Sequence, residues 1–378
     1  MRASELLVEA AKIGREFNHL EDLVFTEGSA GADRALEYLR HMATEATGKD
    51  YSLKWDGNPT VYWGREPNGQ FVFVGKNNWD KADQGGFATS PDELEQFIMS
   101  RGKGEDWRAQ FAADMASAWH IFEAGTPENF RGYFFGDMLF YPGKPYDVKR
   151  QELVFTPNKV TYMAPVADAE GNPVELGNLL YKAKAAVVVH KYLKRFGDKD
   201  AGKMPRLEQF RTSQGLYYPS ASSQLVILGP YFADQGAVID ANYVKSLKLS
   251  ARTRKAVDAF LSGVPGLSSP GSDIYAFVNT KSKEGNLEGL ESQFLPWVQT
   301  TLGPKKMQAF VDKIETNPDG LKAVFGLVES IRDIKNDIID QLDQQTPQIR
   351  TSTEGVPGGE GWVYRDTKLV PRHRWTPN

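Results

Sequence analysis

The chain of 378 residues contains no cysteine. That absence excludes disulfides, thiolate metal sites and cysteine nucleophiles, and it suits a reducing, cytoplasmic interior. Histidine is scarce. His19, His41, His120, His190 and His373 are the whole complement, and no two stand at metal-ligand spacing, which argues against a zinc site or a histidine-based triad. No apolar run approaches the roughly 20 residues that span a bilayer, so no membrane partner is expected. Without thiols, no disulfide-linked partner is expected either. There is no repeat period and no long low-complexity linker. The hydrophobic fraction of 40% and charged fraction of 25% are those of an ordinary globular protein. The length suits one large domain, or a core with a substantial insertion.

Charge is informative locally. The net charge is −4, yet from Lys182 to Arg211 nine Lys/Arg stand against three acids, and residues 245 to 255 add five more with no acid. Lys191, Lys194, Arg195, Arg252 and Arg254 are the candidate nucleic-acid contacts in these stretches, although solvated helix faces carry such charge too. At the start, Leu6, Leu7, Ala10, Ile13 and Phe17 fall at helical spacing. Glu5 and Glu9 speak against a transit peptide, leaving a surface amphipathic helix.

Gly28-Ser29-Ala30-Gly31-Ala32-Asp33 precedes a helix whose apolar face is Ala35, Leu36, Leu39 and Met42; lacking the strand and lysine of a P-loop, it reads as a helix start. The period then changes. Tyr51 to Gly64 and Gln70 to Gly75 are strand-like, with Pro67-Asn68-Gly69 as the hairpin signal between them. Ser90-Pro91-Asp92-Glu93 opens a helix, and Trp107, Phe111, Met115 and Phe122 continue an apolar face expected in the core. Strands resume at Arg131 to Tyr141 and Glu152 to Pro165. Helical patterns dominate from about 175 to 345, most clearly Val324, Leu327, Val328, Ile331, Ile334, Ile338 and Leu342. A terminal hairpin, Glu360 to Arg365 and Lys368 to Trp375, closes the chain. The expected fold is α+β: an antiparallel β core formed by residues 1–170 and 351–378, with a mainly α-helical insertion over 171–350.

Chemistry concentrates in a few segments. Lys54-Trp55-Asp56-Gly57 sits at a strand end before a Gly/Pro turn, and the apolar neighbours Leu53 and Trp55 suit a lysine that must act as an amine. Phe135-Gly136-Asp137-Met138-Leu139 places an acid on a strand 83 residues beyond Lys54, and Glu360-Gly361-Trp362-Val363-Tyr364-Arg365 supplies a second acid and a basic residue, with Lys368 on the next strand. A nucleophile, two carboxylates and several cations are what attack on a nucleotide α-phosphate requires.

In this order the segments resemble the covalent nucleotidyltransferase superfamily of ATP-dependent DNA ligases, RNA ligases and mRNA capping enzymes. KWDG resembles motif I, FFGDML motif III, EGWVYR motif IV and the Lys368 strand motif V, while Phe73 to Asn78 is similar to the segment after motif I. A closer likeness is to ligase-like proteins of large tailed bacteriophages, in His19 to Asp22, the GSAG of Gly28 to Gly31, Lys54 to Pro59, Gly136 to Phe140 and Phe155 to Tyr162. It covers residues 19 to 165 and 354 to 375.

The resemblance implies an antiparallel core of the ligase adenylation type, with ATP and Mg²⁺ as cofactors. Lys54 would form the lysyl-adenylate, Asp137 would lie near the ribose, and Glu360 would assist the metal, with Asp137 as the second candidate ligand. Arg365 and Lys368 would contact phosphate, Lys76 the ribose or β-phosphate, and Asp56 and Gly57 would shape the loop beneath the nucleotide. The implied partner is RNA, less so DNA, with a 5′-phosphate end, in a host cytoplasm if the gene is a phage's. Departures are Pro59 where many DNA ligases have arginine, Asp137 in place of Glu, Arg365 in place of Lys, and Val370 at the second lysine of motif V, with Arg372 or Arg374 as substitutes. These keep two other expectations open: a ligase-derived nucleic-acid-binding or virion-associated protein without turnover, and a nucleotidyltransferase for a non-nucleic acceptor.

Overall fold

The computed structural model describes residues 19–101, 106–202, 211–212, 215–216, 224–345, 348–365 and 367–374. The amphipathic helix expected over Leu6 to Phe17, and the basic residues Lys203 and Arg206, lie outside them. In chain order the elements begin α1 (Asp22–Glu45), β1 (Tyr51–Leu53), β2 (Thr60–Arg65), β3 (Phe71–Gly75), α2 (Lys76–Trp79), α3 (Pro91–Met99), α4 (Asp106–Gly125) and β4 (Gly132–Phe140). They continue with β5 (Asp147–Lys149), β6 (Glu152–Phe155), β7 (Val160–Pro165), α5 (Glu175–Tyr181), β8 (Ala185–Leu193), β9 (Arg211–Thr212), β10 (Gly215–Leu216) and β11 (Leu225–Leu228). Six helices follow: α6 (Ala241–Ser246), α7 (Ala251–Leu261), α8 (Pro270–Lys283), α9 (Leu290–Thr301), α10 (Pro304–Thr316) and α11 (Pro318–Asp343). The chain closes with β12 (Arg350–Thr353), β13 (Val356–Pro357), β14 (Trp362–Tyr364) and β15 (Thr367–Leu369). Two compact units result, one of Met1–Lys54, Ala233–Gln345 and Glu360–Asn378, the other of Trp55–Phe232 and Thr346–Gly359.

The first unit is mainly helical. Along α11, Val324, Val328, Ile331, Ile338 and Leu342 are fully buried, at the helical spacing their sequence shows. Asn317 caps this helix by accepting from the Gly320 amide at 3.0 Å. In α1 the Gly-Ser-Ala-Gly segment breaks the helix at Gly28, whose φ of 64° suits glycine. The helix restarts there, and its N-terminus is capped from within the fold: Asp258 of α7 accepts from the Ser29 amide at 2.8 Å and its hydroxyl at 2.7 Å. A carboxylate thus fills the position a phosphate would take. Removing it in Asp258→Ala is expected to cost about 1–2 kcal/mol, the usual range for losing a cap, measured by urea unfolding.

A three-stranded antiparallel sheet, ordered β1-β14-β15, completes this unit. Its registers pair Leu53 with Trp362 and Trp362 with Leu369, so the terminal hairpin expected from sequence forms and recruits Tyr51–Leu53 as its third strand. Beyond β15 the chain is anchored by charge. The Arg372 guanidinium, fully buried, meets Glu21 and Asp22, and Lys335 of α11 donates to both Glu21 oxygens at 2.8 and 3.0 Å. His19 binds the Val370 carbonyl through Nδ1 at 3.0 Å. The His19-Leu20-Glu21-Asp22 segment is therefore an internal anchor for the C-terminal strand.

The second unit holds two five-stranded sheets. One is ordered β11-β8-β4-β2-β3, antiparallel except for the parallel pair β8–β11; the other, β13-β12-β7-β6-β5, is antiparallel throughout. The fold is thus α+β with antiparallel and mixed sheets. On the first sheet, Trp63, Phe71, Phe73 and Phe134 face one way, where Trp119 of α4 packs edge-on against Phe71 and Phe73 and Phe122 packs edge-on against Trp63. Phe140 of β4 contacts Phe155 of β6, which stacks on Tyr162 of β7, joining the two sheets through aromatic rings.

Three expectations change. Tyr51 to Gly64 is not one strand: Asp56 to Pro59 interrupt it, with a cis bond before Pro59, and its halves join different sheets. Ala185–Leu193 and Leu225–Leu228, inside the stretch expected to be helical, are strands beside β4, so helices dominate only from Ala241 onward. Trp107, expected in the core, is 57% exposed, whereas Met115 and Phe122 of the same helix are buried.

Candidate active site

Lys54 follows β1 directly, and its backbone amide extends the β1–β14 ladder by donating to the Gly361 carbonyl at 2.9 Å. That pairing brings Glu360, 306 positions on in sequence, beside it: Lys54 Nζ lies 2.5 Å from Glu360 Oε1. The two side chains are 21% and 7% exposed. The apolar flank expected around the lysine is present, since Leu53 and Trp55 are buried, but the amine itself is held by a carboxylate. On this sheet Ser52, Val363 and Lys368 are opposite one another and half-buried between buried neighbours, so they share a face. Lys54, two residues beyond Ser52, belongs to that face with Lys368.

Arg365 does not join them. It lies in the turn after β14, five positions beyond Glu360. There its Nε donates to Asp50 at 3.1 Å and its guanidinium lies over the Tyr364 ring. Arg372 and Arg374, the candidate substitutes for the second motif V lysine, are also committed: Arg372 to Glu21 and Asp22, Arg374 to Asp340 at 2.9 Å and Asp343 at 2.5 Å. All three guanidiniums are thus engaged in internal ion pairs.

In the second unit the Asp56 to Pro59 loop is pinned from both sides. Asp56 is buried and accepts from Asn158 Nδ2 at 2.8 Å and from the amides of Lys159 and Val160 at 2.8 and 3.0 Å, holding the β6–β7 turn. Its carboxylate shapes the loop. The Asn58 amide donates to Met138 and the Met138 amide to Pro59, fastening the loop to β4. Gly57 passes so close to β4 that a Cβ there would stand 2.5 Å from the Asp137 Cβ. Gly57→Ala is therefore expected to destabilise this unit by about 1–3 kcal/mol, as overpacking does, read by chemical denaturation.

Asp137 lies on the sheet face opposite α4. Thr60 donates to its Oδ1 at 2.6 Å, and His190 Nε2 meets its Oδ2 at 2.9 Å. Neither partner was singled out by the sequence, although a histidine following the Ala-Val-Val-Val run of a strand is a recognisable signal. Lys76 starts α2 at the end of β3 and is exposed.

Among the described residues no three His, Asp or Glu side chains group as metal ligands. A magnesium ion that arrives with ATP needs only one or two carboxylates, because phosphate oxygens and water complete its shell. Glu360 is the candidate for that role in the first unit; in the second, both Asp137 oxygens are already engaged, by Thr60 and His190.

The candidate nucleic-acid contacts fall in separate units. Lys191, Lys194 and Arg195 are exposed at and beyond the end of β8 in the second. On α7 of the first, Arg252 pairs with Asp319 at 2.7 Å and Arg254 with Asp33. No helix among the described residues is long and apolar enough to cross a membrane.

No curated protein and no solved structure matches the chain. What it is similar to, over residues 15–81, is a family of unknown function (DUF6267), and that stretch holds His19 to Asp22, Gly28 to Asp33 and Lys54 to Pro59.

Proposed function

We infer that the chain is an ATP-dependent nucleotidyltransferase of the polynucleotide-ligase kind, with Lys54 as the covalent nucleophile. The observation that carries this is the 2.5 Å contact between Lys54 Nζ and Glu360 Oε1. It joins, within one compact unit, the lysine and the acid that the resemblance pairs as motifs I and IV. Glu360 is within reach to accept the ammonium proton, which frees the amine to act. The amine then attacks the α-phosphorus of ATP, a phosphorus–nitrogen bond forms, and pyrophosphate leaves. Magnesium supplies charge neutralisation on the phosphates when bound. Lys368, on the same sheet face as Lys54, is the candidate cation for a phosphate oxygen. The adenylate passes to a 5′-phosphate end, RNA before DNA, in a cytoplasm.

The test is incubation of the purified protein with α-labelled ATP and Mg²⁺. Label that stays on the denatured protein through mild alkali and is released by acid, as a lysyl phosphoramidate requires, supports the reading, and its absence with every metal and nucleotide tried sinks it. A second reading, a ligase-derived binding or virion-associated protein without turnover, is favoured by one observation: Arg372 and Arg374 are held by internal acids and leave the second motif V lysine without a replacement.

A further inference from the structure

Strand β8 does not run in simple register along β4. Val189 stands opposite Gly136 and Lys191 opposite Phe135, which leaves His190 as an extra residue. A bulge of this kind bends the strand and re-aims a side chain. Here it directs the imidazole to Asp137, with the ring 5.7 Å from that of Phe135. Asp137 is itself fixed on its other oxygen by Thr60.

The carboxylate accepts, so the histidine proton resides on Nε2. In the neutral ring Nδ1 then carries the lone pair. Nδ1 has no hydrogen-bond partner among the described residues, and the side chain is 32% exposed. An imidazole oriented by an acid at one nitrogen and presenting a basic nitrogen at the other is the arrangement of a general base.

We propose that His190 is the general base for the acceptor hydroxyl in the strand-joining step, a role that rests on the nucleotidyltransferase reading. Nδ1 takes the proton of a 3′-hydroxyl. The oxygen forms a bond to the 5′-phosphorus of an adenylated strand, and the bond from that phosphorus to the AMP phosphate oxygen breaks. AMP leaves with the electron pair, and the imidazolium, stabilised by Asp137, returns its proton to water.

The experiment uses the full chain, Mg²⁺, a chemically 5′-adenylated RNA and a 3′-hydroxyl acceptor strand, without ATP, so that Lys54 has no step to perform. Wild type is expected to seal. His190→Ala is expected to seal about 100-fold more slowly or worse, the usual contribution of a general base. Added imidazole should restore part of that loss, which it would not do for a merely structural histidine. Sealing by His190→Ala close to the wild-type rate, a loss that imidazole does not relieve, or no sealing of the adenylated strand by wild type each overturns the proposal. Self-labelling with ATP is measured on the same preparations. A wild-type circular dichroism spectrum and an unchanged urea transition for His190→Ala show that the variant folds. Sealing without any wild-type self-labelling would defeat the lysyl-adenylate reading while leaving the histidine assignment standing.

Discussion

Lys54→Ala and Lys54→Arg are both expected to lose covalent capture of α-labelled AMP completely. The arginine variant is the sharper of the two. Its guanidinium keeps a cation opposite Glu360, so the 2.5 Å ion pair has a charge-conserving replacement and the β1–β14 pairing is undisturbed. A guanidinium is not deprotonated in proteins, however, and offers no amine lone pair to phosphorus. If the lysine served only to close a cross-strand ion pair, arginine would serve as well. Glu360→Gln separates the partner's role: the amide cannot accept the ammonium proton, and labelling is expected to slow by about 10²- to 10⁴-fold. Mass measurement of the intact protein after incubation with ATP gives the readout. An adenylate mass on Lys54→Arg would remove Lys54 from the chemistry.

Strand pairing and hairpins were legible where the local signal and the tertiary partner agree. Pro67-Asn68-Gly69 joins two alternating apolar runs, and β2 and β3 pair across it. Ser90 accepts from the Glu93 amide at 3.2 Å, as the Ser-Pro-Asp-Glu pattern implies. What was not legible is which body a segment joins. Tyr51 to Leu53 and Thr60 to Arg65 read as one strand, but the pinned turn between them sends the first to β14 and the second to β4. Ala185 to Leu193 carries the β-branched run Val187-Val188-Val189, yet it falls within the stretch that reads as helical. Only its place between β4 and β11 makes the assignment plain.

The candidate site divides in the same way. Lys54 and Glu360, which the resemblance pairs as nucleophile and acid, meet in space. The cations were harder, because a basic residue near a motif says nothing about its nearest acid. Arg365 is taken by Asp50, Arg372 by Glu21 and Asp22, and Arg374 by Asp340 and Asp343. Each partner is remote in sequence or on another element. His190 was missed for a different reason: its role depends on a one-residue bulge, which side-chain alternation does not announce.

Lys335→Met is expected to destabilise the first unit by about 3–5 kcal/mol, the cost of leaving a buried charge without its partner. Glu21 and Lys335 are both fully buried, and beside them lie Arg372, Asp22 and His19. Burial alone would raise the Glu21 carboxyl, but Lys335 and Arg372 outweigh it and hold the group at about 2. Burial, with Arg372 and Lys335 adjacent, pushes His19 down to about 3, so its ring is neutral in the fold. Both shifts are depressions, so each stabilises the fold above the unfolded-state value and is lost as pH falls toward the folded one. Asp22 acts in the opposite sense between 3.8 and about 6, because its burial favours the protonated form there. It offsets His19 through most of that interval, which concentrates the net loss below about pH 4.5, where Glu21 and His19 both act. Urea unfolding across pH should therefore show a steep acid limb. Combining Glu21→Gln with Lys335→Met removes both charges and should recover part of the single-variant loss, since the buried anion no longer lacks a partner. Fully additive losses in that pair would show that the two groups are not coupled, contrary to the geometry in which Lys335 donates to both Glu21 oxygens.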